Sequence, residues 1–261
     1  MPTCQLCLQE KEKLCKAHLL PEAFYRFIRF DEDSLLSIPG NEKLPFTTTI
    51  VGRWDDQILC MECDQKILGK LDDYAAKVML ERKFSMHWCQ RPELTYFSMR
   101  DVNVAAIKLF WISVLWRHAV SKQSENQGIQ LPEESIETIR GMILRGDPGT
   151  PEEFSVVLLY FGSPQVIMAL SRAEGDDGWF DYYVCGWHVW IKGSRTETRT
   201  AFRTLFLDPQ SETRVVVQNM DDTPKLFDII LSFVKVDEKE ANRAYGEYQK
   251  RLSIGKSEEI G

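Results

Sequence analysis

Leu59-Cys60-Met61-Glu62-Cys63-Asp64-Gln65-Lys66 decides how this chain folds, because its cysteine spacing repeats that of Cys4-Gln5-Leu6-Cys7. A two-residue gap lets both sulfurs of a pair turn toward one ion about 2.3 Å away. Two such pairs read as four thiolates around one tetrahedral structural zinc. Disulfides are the poorer reading. Met1 runs into a polar stretch with no apolar leader, so a reducing cytosol is the expected compartment. A tighter partition stays open, since Cys15-Lys16-Ala17-His18 is a CxxH pair that could close a site with Cys4 and Cys7. Residues 8–59 separate the two CxxC pairs, so the chain between them must carry structure of its own.

The surroundings of the pairs differ. Cys4 and Cys7 lie in a short polar turn, followed by a strand-like stretch at Leu14-Cys15. Cys60 and Cys63 open a helical pattern, with Ile67, Leu68, Leu71, Tyr74, Ala75, Val78 and Met79 at three- and four-residue spacing. A helix start also favours thiolate over thiol. His87-Trp88-Cys89 does not repeat the spacing and is expected to be a partly buried aromatic turn.

Composition narrows the function classes. Of the 261 residues 44% are apolar, with 14 Phe, 8 Tyr and 7 Trp, so a sizeable core is available and wholesale disorder is excluded. The net charge is −7, which argues against a protein that holds nucleic acid by bulk phosphate neutralisation. Any nucleic-acid partner must then be engaged by a local site. The longest apolar run, Leu109–Trp116, is too short to span a bilayer and is closed by Lys108 and Arg117. The expectation is a soluble, cytoplasmic protein with no membrane partner.

A CxxC knuckle, His18-Leu19-Leu20-Pro21 and a second CxxC opening a helix resemble the treble-clef zinc fold, in particular its His-Asn-His (HNH) endonuclease branch. The resemblance covers about residues 4–75. It implies a ββα module with a structural zinc on Cys4, Cys7, Cys60 and Cys63. It also implies a second, catalytic divalent ion such as Mg²⁺ or Mn²⁺, and His18 as the general base that activates water. Asp64 matches the position of a metal ligand. Asp56 falls near the family's central Asn, which orients the base. Ala17 stands where an acidic ligand often precedes the base, and the central Asn is absent. Softer still, the stretch ending in Trp116-Arg117 is similar to uncharacterised bacterial and phage proteins with the same finger, which implies a phage, anti-phage or mobile-element context. Arg26, Arg29 and Lys66 are the basic residues placed to contact phosphate.

Residues 1–91 are therefore expected to form the zinc module, with a long insertion at about 22–57 and a strand near Phe46–Val51. Residues 92–261 are expected to form a larger α+β domain with an antiparallel sheet. There a helix capped by Ser98 or Asp101 runs to about Ser121, apolar all round and hence central. A second runs from Pro132 to about Leu144, ahead of Gly146. Strands are expected at Phe154–Phe161 and, as one long strand, Trp179–Ile191. Cys185 and His188 would then face opposite sides. A hairpin would join Leu205–Leu207 to Arg214–Gln218. A short helix is expected at Pro164–Ser171 and terminal helices at Pro224–Val234 and Glu238–Leu252. His118 is expected to interact with a helix dipole. Two further functional readings remain: an inactive zinc-stabilised module that binds protein or nucleic acid, and a zinc brace for a ligand-sensing C-terminal domain.

Overall fold

Aromatic and β-branched residues alternate between half-buried and buried positions over Trp179–Val184, while Trp187–Lys192 is buried except at Trp190, as a strand covered on both faces is. In chain order the elements are β1 (Ala17–His18), α1 (Glu22–Ile28), β2 (Leu35–Ser37), β3 (Thr47–Thr49), β4 (Trp54–Asp55), a π-helical turn (Cys63–Leu68), α2 (Gly69–Met79), β5 (Ser85–Arg91), β6 (Leu94–Arg100), α3 (Val104–Val120), α4 (Glu133–Arg145), β7 (Val156–Tyr160), β8 (Ser171–Arg172), β9 (Trp179–Val184), β10 (Trp187–Lys192) and β11 (Thr213–Val217). The structure is a computed structural model. It describes residues 1–28, 35–37, 47–49, 52–91, 94–123, 129–160, 171–172, 178–194 and 203–217. Arg29 and the helices expected at 164–171, 224–234 and 238–252 lie outside the described residues, save Ser171, which opens β8.

The chain is α+β. Its seven-stranded sheet has the order β5-β6-β11-β7-β10-β9-β8. The sheet is mixed rather than antiparallel, because β11 runs parallel to β7 while every other junction is antiparallel. The β8–β10 strands separate β7 from β11 in the chain, which leaves ample length for the crossover that a parallel pair needs. The hairpin expected between Leu205–Leu207 and Arg214–Gln218 does not form. Leu205 ends a 3₁₀ turn, Phe206 bridges to Val157, and β11 pairs instead with β6 and β7.

The single long strand over Trp179–Ile191 is also corrected. It folds back at Cys185-Gly186, both with positive φ (51° and 89°), so that Trp187 lies opposite Val184. Two left-handed residues in a two-residue loop match the twist of the strands they join. Cys185 thus sits in the turn, and its placement across one strand from His188 no longer applies. His87 is likewise not in a turn but on β5, opposite Ser98.

One face of the sheet carries Phe97, Met99, Val156, Leu158, Tyr182, Val184, Trp187, Val189 and Val215 into the core shared with the helices. α3 is the centre of that core, buried without interruption from Ile107 to His118. Asn103 caps it, its side chain accepting from the Ala106 N–H at 3.1 Å. Ser98 is buried in β6, and Asp101 accepts from the Ser85 hydroxyl, so neither expected cap is used. α4 ends at Gly146, left-handed at φ 65°, whose N–H returns to Ile143 and Met142. Leu6, Leu19, Leu20 and Leu59 near the cysteines belong to the same buried cluster as α3.

Candidate metal centre and the adjoining cavity

The first cysteine pair is shaped by backbone hydrogen bonds. The Leu8 N–H donates to Cys4 O and the Cys4 N–H to Gln9 O, with Leu8 left-handed at φ 57°. The knuckle is tied to the second pair by Gln5 N–H donating to Ile58 O and Cys15 N–H to Leu59 O. The Cys60 N–H then points at the Cys4 sulfur, 3.3 Å away. As a result the sulfurs of Cys4, Cys7, Cys60 and Cys63 all lie within 4.8 Å of one another. Tetrahedral bonds of about 2.3 Å place sulfurs about 3.8 Å apart, so the donor set fits a thiolate-bound ion.

Electrostatics divide the four thiols. Burial opposes ionisation of Cys4, but the N–H groups of Cys7, Cys60 and Leu6 outweigh it and bring its pKa down to about 7. Burial and the neighbouring thiols push Cys63 strongly the other way. Four ionised thiols at this separation repel one another unless a cation lies among them. Cys15 stands apart. Its thiol donates to Leu59 O at 3.3 Å, and burial raises it to about 11. Among the described residues the four CxxC sulfurs are the set that converges, not Cys4, Cys7, Cys15 and His18.

Beside this centre is an open cavity of about 360 Å³. His18 reaches it from β1, which pairs with β4 in the register Ala17 to Asp55 and His18 to Trp54. Glu22 comes from α1. Asp64 comes from the π turn, and Gly69, Asp72 and Asp73 from α2. The structure therefore brings His18 and Asp64 to one cavity. Burial raises the Asp64 carboxyl above the usual carboxylate range, against the pull of Arg117 and His18. The same balance holds at Asp72.

The π turn explains why Asp64 and Asp72 meet. Positions eight apart in a continuous α-helix are about 80° apart around the axis. One residue absorbed by the wider turn leaves the two nearly in line. Sequence periodicity carries no mark of that extra residue, so Asp72 was missed.

Asp56 does not line the cavity that His18 lines. It is exposed and lines a different depression with Pro2, Gln57 and Lys122. The inward carboxylate is its neighbour Asp55, which accepts from the Ser121 hydroxyl at 2.6 Å and the Gln57 N–H at 2.8 Å. Arg26 is exposed and paired with Glu22 on the cavity rim at 2.8 Å. Lys66 is exposed and paired with Glu62 at 3.2 Å.

Arg117 is the second residue that sequence reading did not place here. It is 1% exposed and forks onto both carboxylate oxygens of Asp72, at 2.6 and 3.1 Å. It also donates to the main-chain oxygen of His18 at 3.1 Å. Its neighbour His118 is not a dipole-facing cation. Burial lowers it to about 4, and the neutral ring donates from Nδ1 to Val114 O at 2.8 Å.

No protein-family model, curated protein or solved structure matches this chain. Among the described residues, no helix is long and apolar enough to cross a membrane.

Proposed function

We propose that the four thiols hold a structural zinc in a divergent HNH-like treble clef, and that the adjoining cavity hydrolyses phosphodiesters. The observation that carries this reading is that His18, ahead of Leu19-Leu20-Pro21, shares a cavity with Asp64, the residue directly after Cys63. Histidine is the side chain whose ordinary titration range reaches neutrality, which suits a base that takes a proton from water onto a ring nitrogen. Ala17 leaves the usual acidic position vacant, and Asp72 and Asp73 supply carboxylates to the same space from α2.

These oxygen donors, with one imidazole, suit a hard divalent ion such as Mg²⁺ or Mn²⁺. When bound by Asp64 and Asp72, that ion supplies positive charge for the phosphate oxygens. Glu22, Asp64, Asp72 and Asp73 repel a phosphate in its absence, so cleavage is expected to depend strictly on the cation. Arg26, paired with Glu22 of the cavity lining, is a basic residue that a strand laid across the opening could meet.

The test compares the full chain with His18→Ala, both zinc-loaded, on single- and double-stranded DNA and RNA with Mg²⁺ or Mn²⁺. Loss of cation-dependent cleavage in the variant is expected. Equal rates in the two proteins would remove His18 from the chemistry. That Asp56 lines a different depression from His18 favours a second reading: a zinc-stabilised module that binds nucleic acid or protein without cleaving. Binding unchanged in His18→Ala, with no cleavage by either protein, is the outcome for that reading.

A further inference from the structure

Arg117 belongs to α3, outside both cysteine-bearing segments, yet its guanidinium ends at the cavity's two walls. Nη1 donates to Asp72 Oδ2 and to the His18 main-chain oxygen, each at 3.1 Å. Nη2 donates to Asp72 Oδ1 at 2.6 Å and to Ser113 Oγ at 3.2 Å. Asp72 and His18 both line the cavity.

Stability alone is a poor reason for this arrangement. A buried ion pair is often no more stabilising than well-packed apolar side chains of similar volume. What a planar fork does that a leucine does not is fix the separation and orientation of its acceptors. The element behind it is rigid, since α3 is buried from Ile107 onward. The element in front is short: β1 has two residues and pairs with the two residues of β4. Through Arg117 its main chain is tied to the Asp72 carboxylate on α2.

We propose that Arg117 is a positioning residue, which sets from α3 where the His18 main chain and the Asp72 carboxylate stand relative to each other, and so aims the His18 ring across the cavity. The inference rests on the reading of His18 as the base.

The test uses the zinc-loaded full chain with Arg117→Lys and Arg117→Gln. Lysine keeps the charge but presents a single ammonium in place of the fork. Two readouts are taken: kcat and KM for cation-dependent cleavage, and the ring ¹H–¹⁵N resonances of His18, with exposed His87 as the control. In both variants kcat is expected to fall about tenfold or more, with KM changed less than about twofold. The His18 ring signals are expected to move while those of His87 do not. Wild-type kcat together with unmoved His18 signals in a folded Arg117→Lys overturns the proposal. If the wild type itself shows no cleavage, the reading of His18 as base fails and the resonances decide alone: moved His18 signals uphold the brace, unmoved ones sink it. If Arg117→Lys does not fold, Arg117→Gln, which keeps a planar donor without the fork, carries both readouts with the same outcomes.

Discussion

The N–H of Gly69 donates to the carbonyl oxygen of Asp64, five residues back rather than four. That bond marks the π turn, and the turn makes room for one residue that an α-helix would not hold. Deleting Gln65, which is exposed within it, is therefore expected to restore α geometry while leaving both helix ends where they are. The deletion variant is expected to keep its metal and to melt at the wild-type temperature or above. Gly69 adds a second arm. A helix-interior Gly→Ala change ordinarily gains about 0.5–1 kcal/mol, but a Cβ at Gly69 meets the Asp64 oxygen at 3.3 Å. Gly69→Ala should give little or no gain in the wild type and the ordinary gain once Gln65 is deleted. Equal effects in both backgrounds, measured by urea denaturation, would contradict this account of the turn.

Metal removal is the second prediction. Apparent binding free energy at a structural zinc site is about 10–16 kcal/mol, comparable with the whole stability of a domain. With zinc as the proposed ion, a strong chelator or Cys60→Ser should unfold at least residues 1–91. The loss should spread further, because Leu6, Leu19, Leu20 and Leu59 share a buried cluster with α3. Far-UV circular dichroism with a chromophoric zinc assay reads both events. Near-native melting of the stripped protein rules out a structural metal.

His118 links stability to pH. Its ring titrates near 6.5 when unfolded and at about 4 in the buried site. Between those values the unfolded chain binds a proton that the native chain does not, so stability rises with pH through the window and is lost on acidification. The separation corresponds to about 3 kcal/mol. His118→Phe keeps an aromatic ring and removes the titration. Its stability should fall less than the wild type's between pH 6.5 and 4, by about that amount. The cysteine cluster is common to both proteins, so the difference isolates the imidazole. Parallel profiles would dismiss His118 as the source.

Local patterns were legible in the sequence, and pairings between distant segments only where a repeated spacing marked them. The CxxC spacing, repeated in two distant segments, pointed to four residues that do converge, and the all-round apolar stretch identified α3 as the central helix, because each signal is a spacing read within its own segment. Asp55 and Asp56 show the limit. Successive residues in a strand face opposite sides, and the register that turns Asp55 inward is set by Ala17, far along the chain. The Arg117–Asp72 pair joins two helices whose patterns say only which side is apolar. The sheet's one parallel junction likewise depends on a crossover that no local pattern encodes.

Gly186 tests the hairpin that sequence reading took for a continuous strand. Asn-Gly or Asp-Gly is the usual signature of a two-residue turn with both residues left-handed, and Cys185-Gly186 lacks its first half. Cys185 holds φ 51° with its side chain 4% exposed and its thiol directed at Phe24 O, 3.6 Å away. The turn thereby meets α1, which carries Glu22 to the cavity rim. Gly186 at φ 89° is the residue with the conformational freedom. Gly186→Ala is expected to destabilise by about 1–2 kcal/mol through backbone strain. Gly146→Ala is the reference, since φ there is 65° and an added Cβ meets nothing within 4 Å. Its cost measures left-handed strain alone. Gly186→Ala should cost at least as much in urea denaturation, because the strained residue also joins two paired strands. A neutral or stabilising Gly186→Ala would mean that the chain crosses 184–187 in some other conformation.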